Sequence, residues 1–324
     1  MTGGSEDPRP LAVALAWQCH SFESLLRLVL RAEALGYAAV FVDGDASQMG
    51  GETPRDVLDG WTLTIALLAR TRRIEIGSMR LVHHWNAARL AQSAATASHL
   101  FGGRFRFLIS IGGHSVDRAF GLPFPGGRER VRWLDETLEA VRALWRGERF
   151  SLRGEFVSLD GAVVRPLPPA GGIPVAVAAR APRLIEVVAA HADIWDVNLP
   201  PIRARVERAA EVLASACERR GRDPDRISRS MWIFTRACAT GPGEPAVRAE
   251  FRRLNPWFRY VPESDLAEGL VGGSPARCRR RIEEIREELR IDLPIIDLSG
   301  LPEGQAAAQL DVLAPGQSSV DSGG

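Results

Sequence analysis

Residues Ser98 to Gly113 read SHLFGGRFRFLISIGG, and this stretch decides the fold. Gly102–Gly103 can end a helix, because glycine adopts a positive φ without a Cβ penalty. The run from Arg104 to Ser110 is mostly apolar, which suits a short strand covered on both faces, as in a parallel sheet. Gly112–Gly113 follow at the carboxyl end of that strand, where α/β folds bind ligands and the backbone must approach them closely.

The alternation of strand and helix continues along the chain on both sides of this stretch. Runs of strand length occur at residues 11–17, 38–42, 73–82, 104–111, 175–179, 194–199, 228–239 and 293–298, with helical patterns between them. This pattern predicts an α/β protein, a single (β/α)8 or TIM barrel. The alternative is an open doubly wound sheet, but no GxGxxG motif opens the first helix, which counts against a dinucleotide-binding unit.

The domain boundaries follow from the same pattern. Turn signals at Arg153-Gly154 and Asp160-Gly161 predict a strand-like insertion, at about residues 148–172, between the fourth helix and the fifth strand. We expect a mobile tail over residues 1–10, the barrel domain over 11–313 and a disordered Gly/Ser-rich tail over 314–324.

Composition narrows the classes of function. The net charge of +1 gives no argument for nucleic acid or a membrane surface, and no apolar run reaches 18 residues, so we expect a cytoplasmic protein. The four cysteines are scattered, which predicts neither a disulfide framework nor a metal site. All 41 basic residues are arginine, so Schiff-base and pyridoxal-phosphate chemistry, which need a lysine amine, are excluded.

Polar residues gather where the predicted strands end, which is where barrels place their sites. The candidates are Cys19, His20, Asp43, Asp45, His83, His84, His114, Arg180, Arg183, Asp196 and Asn198. His83 and His84 could act as acid/base or substrate-orienting groups, or one could merely pack at the barrel rim. A metal pair is disfavoured, because adjacent residues on a strand point to opposite faces. Apolar side chains expected to line the pocket are Trp17, Phe41, Met79 and Trp85.

Several segments carry a family resemblance in the correct order. These are RAEALGYAAVFV (31–42), RIEIGSM (73–79), GGRFRF (102–107), AFGLPF (119–124), ERVRWLDETLEAVRALWRGE (129–148) and LVGGSPARCRRRIEEI (270–285). Together they resemble the bacterial luciferase-like monooxygenase superfamily, which contains flavin enzymes and relatives that use the deazaflavin coenzyme F420. The resemblance covers the chain apart from its two ends and implies the same barrel.

The resemblance implies an oxidoreductase. The first expectation is a monooxygenase that uses reduced FMN from a separate flavin reductase, together with dioxygen, on a small or medium organic metabolite. The absence of a nicotinamide motif agrees with electrons that arrive on a separate flavin. The alternatives are an F420-dependent oxidoreductase that transfers hydride without oxygen, and a non-catalytic flavin-binding homologue. A homodimer is a further expectation from the family.

The resemblance also implies roles for particular residues. The cofactor phosphate is expected at the loop after strand five and the first turn of the next helix, on Ala179, Arg180, Ala181 and Arg183. Helix N-termini and arginine forks both bind phosphate. Strand three is expected to support the ring system at Ser78, Met79 and Arg80, with a cis peptide bond at Met79-Arg80, and the glycine loop to contribute Gly112 and Gly113.

One departure from the family pattern affects the proposed chemistry. Relatives often carry a histidine after strand two, where this chain has Asp45. We therefore take His83 or His84 as the first candidates for proton transfer, and Asp45 and His20 as the second. Asp43 and Asp45 could equally be turn residues beside Gly44.

Overall fold

The computed structural model describes residues 9–15, 20–42, 44, 57–113, 118, 120–238, 244–255 and 258–316. Its strands are β1 (Ala12–Ala14), β2 (Ala39–Val42), β3 (Glu75–Leu81), β4 (Phe105–Ser110), β5 (Phe150–Arg153), β6 (Ser158–Ala162), β7 (Val175–Ala179), β8 (Ile194–Val197), β9 (Ser228–Ala237), β10 (Val271–Gly273) and β11 (Leu293–Asp297). Its helices are α1 (Phe22–Ala34), α2 (Gly60–Arg70), α3 (Ala87–Leu100), α4 (Gly127–Trp145), α5 (Pro182–His191), α6 (Arg203–Glu218), α7 (Glu244–Leu254), α8 (Glu263–Gly269), α9 (Pro275–Leu289) and α10 (Glu303–Val312).

Eight parallel strands close into a barrel. The order around it is β1-β2-β3-β4-β7-β8-β9-β11, and the pairing of β11 with β1 completes the ring. The prediction of a single (β/α)8 barrel is therefore confirmed. The short β10 pairs with the outer end of β9, and β5 and β6 form an antiparallel hairpin between α4 and β7.

The stretch 98–113 folds as a helix end followed by a strand. α3 ends at Leu100, and Gly102 and Gly103 take φ values of +61° and +80°. The next residue, Arg104, donates hydrogen bonds to the carbonyl oxygens of Leu68 and Ile74, at 3.0 and 3.1 Å. These bonds satisfy carbonyls at the end of α2 and before β3, so Arg104 ties two βα units together.

Alternate residues of each barrel strand point to opposite sides, one side facing the helices and the other facing the barrel lumen. Val175, Val177 and Ala179 of β7 join the large cluster between the sheet and the helices, whereas Ala176 and Ala178 face the barrel lumen. Five of the nine buried residues of the lumen cluster are alanine, including Ala12, Ala14 and Ala39. The larger lumen side chains therefore fill space that alanines leave open.

Within the described part of the chain, no helix combines the length and the apolar character that a membrane span requires.

Candidate functional site

Three lumen side chains form an apolar floor near the carboxyl ends of the strands. The rings of Phe41 and Trp232 are 5.9 Å apart, and both pack with Met79 in the lumen cluster. A Cβ on Gly77 would lie 2.6 Å from the Phe41 ring, so only glycine leaves room for that ring. Phe41 and Met79 thus face the lumen, and their role in lining a substrate pocket stays a prediction.

The floor is bordered by bare backbone beside β3. A Cβ placed on Gly44 would lie 2.0 Å from the carbonyl oxygen of Met79, so the chain after β2 passes directly over that strand. The peptide bond between Met79 and Arg80 is trans, and the predicted cis bond is wrong. Met79 and Arg80 pair in regular register with Leu108 and Ile109 of β4, so β3 has no bulge at this position.

Ser78 and Arg80 have side chains on the helix side of β3. The Ser78 hydroxyl lies 2.6 Å from the Thr64 hydroxyl of α2. The fully buried Arg80 donates to Ser78 at 2.5 Å, and its guanidinium lies over the rings of Trp61 and Trp85. The side chains of Ser78 and Arg80 therefore do not face the lumen, and the role of these two residues in cofactor binding stays a prediction. Trp85 packs edge-on against Trp61 and does not line the lumen.

The histidine pair lies on a turn of 3-10 helix, Val82–His84, rather than on a strand. The two rings consequently pack edge to face with centroids 4.6 Å apart, instead of pointing to opposite faces. His83 is buried and also packs against Phe124, at 5.1 Å. His84 is half-buried.

The glycine loop covers His83. Gly112 has φ +71°, and a Cβ there would lie 3.1 Å from Cε1 of His83. Arg130 of α4 holds this loop by donating to the carbonyl oxygens of Ile111, at 2.9 Å, and Gly112, at 3.4 Å, and it stacks on Phe124 at 3.9 Å. Gly113 is exposed and has open space around it. The structure therefore brings Gly112 and the histidine pair together.

An arginine stands at the rim between β7 and β8. Arg180 donates to the Asn198 side chain at 3.1 Å, and its guanidinium lies 5.5 Å from the Phe258 ring and 5.6 Å from the Tyr260 ring. Among the residues that the structure describes, Arg180 makes this one hydrogen bond, which leaves most of its five guanidinium donors available to an anion.

The N-terminus of α5 follows Arg180 directly. Ala181 caps the helix without a side-chain bond, Pro182 occupies its first turn, and Arg183 is exposed. Free N–H groups at a helix N-terminus attract anions. Ala179 differs from its neighbours: its side chain faces the helices, and its carbonyl accepts from the Trp195 indole at 2.9 Å.

A buried carboxyl group lies in the lumen below this rim. Asp196 is 1% exposed and accepts a hydrogen bond of 2.8 Å from the Ser230 hydroxyl. Burial raises its pKa to about 7, although Ser230 and the Trp232 indole favour the charged form. Asp297, on β11, is also buried, and burial raises its pKa.

The remaining predicted residues lie elsewhere or outside the described residues. His20 contacts Ser24 of α1 at 3.3 Å, and burial lowers its pKa while Glu303 of α10 raises it. Asp45 lies outside the described residues, as do Trp17, Cys19, Asp43 and His114. No group of three or more His, Cys, Asp or Glu side chains within the described ranges could hold a metal ion.

Sequence reasoning missed several residues of the mouth. Trp232 and Asp297 lie on the lumen faces of β9 and β11. Counting alternate residues from Ser230 on β9 and from Leu293 on β11 could have found them. Phe258 and Tyr260 follow α7, far from any predicted strand end, and no local signal places them beside Arg180.

The described residues thus form a closed (β/α)8 barrel with an apolar floor in its lumen, an arginine at its rim and an exposed helix N-terminus beside that arginine. The chain belongs to the luciferase-like monooxygenase family, whose family model matches residues 6–269.

Curated relatives are F420-dependent glucose-6-phosphate dehydrogenases. The one from Rhodococcus hoagii is 32% identical over 137 residues, which are 41% of this chain and 39% of the relative. The one from Nakamurella multipartita is 27% identical over 206 residues, 58% of this chain and 59% of the relative. The chain thus spans about half the length of the curated relatives it matches.

Solved structures share the fold across nearly the whole chain. An F420-dependent secondary alcohol dehydrogenase in complex with an F420-acetone adduct has a TM-score of 0.78 and 15% identity, over 95% of this chain and 99% of that one. The monooxygenase RslO1 from Streptomyces bottropensis has a TM-score of 0.75 and 22% identity, over 94% and 97%. EDTA monooxygenase from Chelativorans has a TM-score of 0.77 and 15% identity, over 95% and 93%.

Proposed function

We propose that the protein is an F420-dependent oxidoreductase that moves a hydride between the coenzyme and a carbinol carbon of a small organic substrate. The observation that carries the proposal is the coenzyme shared by the curated relatives just described, each of which is named as F420-dependent. This replaces reduced FMN as the first expectation for the cofactor. The proposal takes over the coenzyme and the class of reaction, and leaves the substrate open.

The residues at the barrel mouth fit such a coenzyme. The apolar floor of Phe41, Met79 and Trp232 suits a planar ring system, and the close contact of Gly44 with Met79 leaves bare backbone beside it. Arg180, Arg183 and the N-terminus of α5 would hold the phosphate. When bound, F420 would supply the hydride chemistry, while the chain orients the ring and excludes water.

The second candidate is the reduced-FMN monooxygenase. The description of the family and the two monooxygenase neighbours favour it, and the same floor and rim suit an FMN ring and phosphate. This candidate needs dioxygen and a separate flavin reductase, whereas hydride transfer with F420 needs neither. A non-catalytic flavin-binding homologue would bind a coenzyme and turn nothing over.

Anaerobic titration separates the candidates. The purified protein is titrated with oxidised and reduced F420 and with reduced FMN, followed by absorbance and fluorescence, and oxygen is then admitted. We expect saturable F420 binding, no FMN binding of comparable strength and no oxygen consumption. FMN binding with oxygen uptake would overturn the proposal in favour of the monooxygenase. Incubation of oxidised F420 with a panel of alcohols and sugar phosphates then tests for turnover.

A further inference from the structure

The turn between α7 and α8 packs on one side of the barrel mouth. Its Phe258 is buried in an apolar cluster with Ile202, which follows β8, and with Phe234 of β9. Phe234 pairs with Asp297 at the carboxyl end of β11, which places this cluster at the mouth. The turn therefore brings side chains from a distant part of the sequence to the rim where Arg180 lies.

Arg252 of α7 fixes the backbone of this turn. Its guanidinium donates to the carbonyl oxygens of Phe258, at 2.8 Å, and of Val261, and it forms an ion pair of 3.1 Å with Glu263 at the start of α8. The ring of Phe258 also stacks on Phe251 of α7, with centroids 5.8 Å apart. Because these contacts hold both ends of the turn, the side chains that it presents have defined positions.

Tyr260 of this turn contacts two arginines. The centre of its ring lies 5.6 Å from the Arg180 guanidinium carbon and 5.9 Å from that of Arg205. A guanidinium within about 6 Å of a ring centroid is attracted electrostatically by the ring face. The Tyr260 side chain is 50% exposed and Arg180 is only partly buried, so a ligand at the rim can reach both.

The two arginines differ in how their charge is balanced. Arg205 donates two hydrogen bonds to the Asp265 carboxylate, at 2.8 and 3.3 Å, so a counter-charge lies beside it. Over the described ranges no carboxylate pairs with Arg180, whose hydrogen bond goes to the neutral side chain of Asn198. The exposed Arg183 follows three residues later. An anion at the rim would therefore find an unbalanced positive charge on Arg180.

We propose that Tyr260 is the positioning residue of the phosphate site, because it holds the Arg180 guanidinium where that group binds the coenzyme phosphate. The proposal rests on the proposed function, which assigns the phosphate to Arg180. An arginine side chain that is free in solvent loses rotamer freedom when it binds an anion. Asn198 and the ring of Tyr260 already restrict Arg180, so less conformational entropy is lost on binding.

This role predicts an effect that is confined to the phosphate. Tyr260→Ala should weaken F420 binding by about three- to ten-fold, because the loss of a cation–π contact frees the guanidinium. The deazaflavin fragment of F420 that lacks the phosphate and the tail should bind this variant within about two-fold of wild type. Tyr260→Phe keeps the aromatic face and should bind F420 within about two-fold of wild type.

The experiment is a double-mutant cycle followed by anaerobic fluorescence titration. Wild type, Tyr260→Ala, Arg180→Ala and the double variant are each titrated with F420 and with the phosphate-free fragment. In the Arg180→Ala background, Tyr260→Ala should change F420 affinity by less than about two-fold, because a residue that acts through Arg180 has no effect once that side chain is absent.

Phe156→Ala is the matched control. The Phe156 ring lies 5.9 Å from the Arg132 guanidinium and stacks on Trp133 of α4, outside the barrel. This variant loses a comparable contact between an arginine and an aromatic ring, and it should bind F420 and the fragment as wild type does.

Two kinds of result would overturn the proposal, and they are distinguishable. The first arises when wild type binds F420 and Tyr260→Ala binds it equally well, weakens F420 and the fragment alike, or has the same effect without Arg180. The positioning role is then wrong while the proposed function stands. If wild type does not bind F420, the proposed function fails and the positioning role fails with it.

Discussion

Arg180 is the residue that most directly tests the phosphate site. Its guanidinium is already positioned by Asn198 and by two aromatic rings, so little conformational entropy remains to be lost when an anion binds. Charge-assisted hydrogen bonds contribute about 1.5–3 kcal/mol each. We expect Arg180→Ala and Arg183→Ala each to weaken F420 binding by roughly ten-fold or more, measured by anaerobic fluorescence titration.

The control for these variants is another exposed arginine. Arg70 ends α2, at the opposite end of the barrel, so Arg70→Ala should bind F420 as wild type does. If Arg180→Ala and Arg183→Ala both bind F420 with unchanged affinity, the coenzyme phosphate does not bind at this rim.

Asp196 links stability to pH. Its folded pKa of about 7 exceeds the ordinary value near 4, so the folded state holds the proton more tightly. The resulting stabilisation is fully present below pH 4 and is lost as the pH rises through 7. Relative to Asp196→Asn, wild type should lose about 1.4 kcal/mol of unfolding free energy per pH unit between pH 5 and 7. Urea unfolding of both proteins at several pH values measures this, and parallel curves would contradict it.

Individual residues show where sequence reasoning reaches its limit. The motif predicted that Ser78, Met79 and Arg80 lie near a ligand. Because side chains alternate along β3, Met79 faces the lumen, whereas Ser78 and Arg80 face the helices. A one-residue uncertainty in a strand boundary reverses every such assignment. The sequence did not show which face of β3 is the lumen side, because polar residues occur on both faces, Glu75 on one and Ser78 and Arg80 on the other.

Among the elements, the strands followed from the sequence most closely. β7 spans Val175–Ala179, as predicted, because a buried apolar run bounded by proline and arginine has sharp ends. The conformation of the segment after β3 did not follow from the sequence. Val82–His84 forms a 3-10 turn, and its packing under the loop from β4 depends on Phe124, about forty residues later. Contacts of that sequence separation leave no local pattern.

The loop after β4 supplies a prediction at this scale. Gly112→Ala places a side chain at φ +71° and 3.1 Å from His83, so it should lower the unfolding free energy by about 1–3 kcal/mol. Gly113→Ala is the matched control, because a Cβ there meets nothing within 4 Å, and its cost should be about 0.5 kcal/mol or less. Thermal unfolding of both variants tests the difference. Equal losses would show that His83 does not constrain the loop.

For the whole molecule, the decisive contacts are those that close the ring. α1 packs against α10 beside the β1–β11 pair, with Arg27 bonded to Glu303 at 2.6 and 2.7 Å and Arg31 bonded to Asp311. Beneath them the buried Tyr37 hydroxyl donates to the Leu310 carbonyl oxygen at 3.0 Å. The sequence predicted eight strands, but the periodicity of each one says nothing about which strands meet at the closure.

The contacts that close the barrel predict that two substitutions lower the unfolding free energy by different amounts. Tyr37→Phe leaves a buried carbonyl without its donor and should cost about 1–3 kcal/mol of unfolding free energy. Arg31→Ala breaks an exposed ion pair and should cost about 1 kcal/mol or less. Urea unfolding at neutral pH compares the two variants. A larger loss of unfolding free energy in Arg31→Ala would show that the surface ion pair, and not the buried hydrogen bond, stabilises the closure.

The pairing of β1 with β11 also sets the order in which the chain can fold. Residue 12 pairs with residue 295, so one edge of β1 stays without its neighbouring strand until β11 has been synthesised. Until then the backbone N–H and C=O groups on that edge lack their partners from β11, and contacts of such high sequence separation form slowly. We therefore expect ring closure to limit the rate of refolding from denaturant.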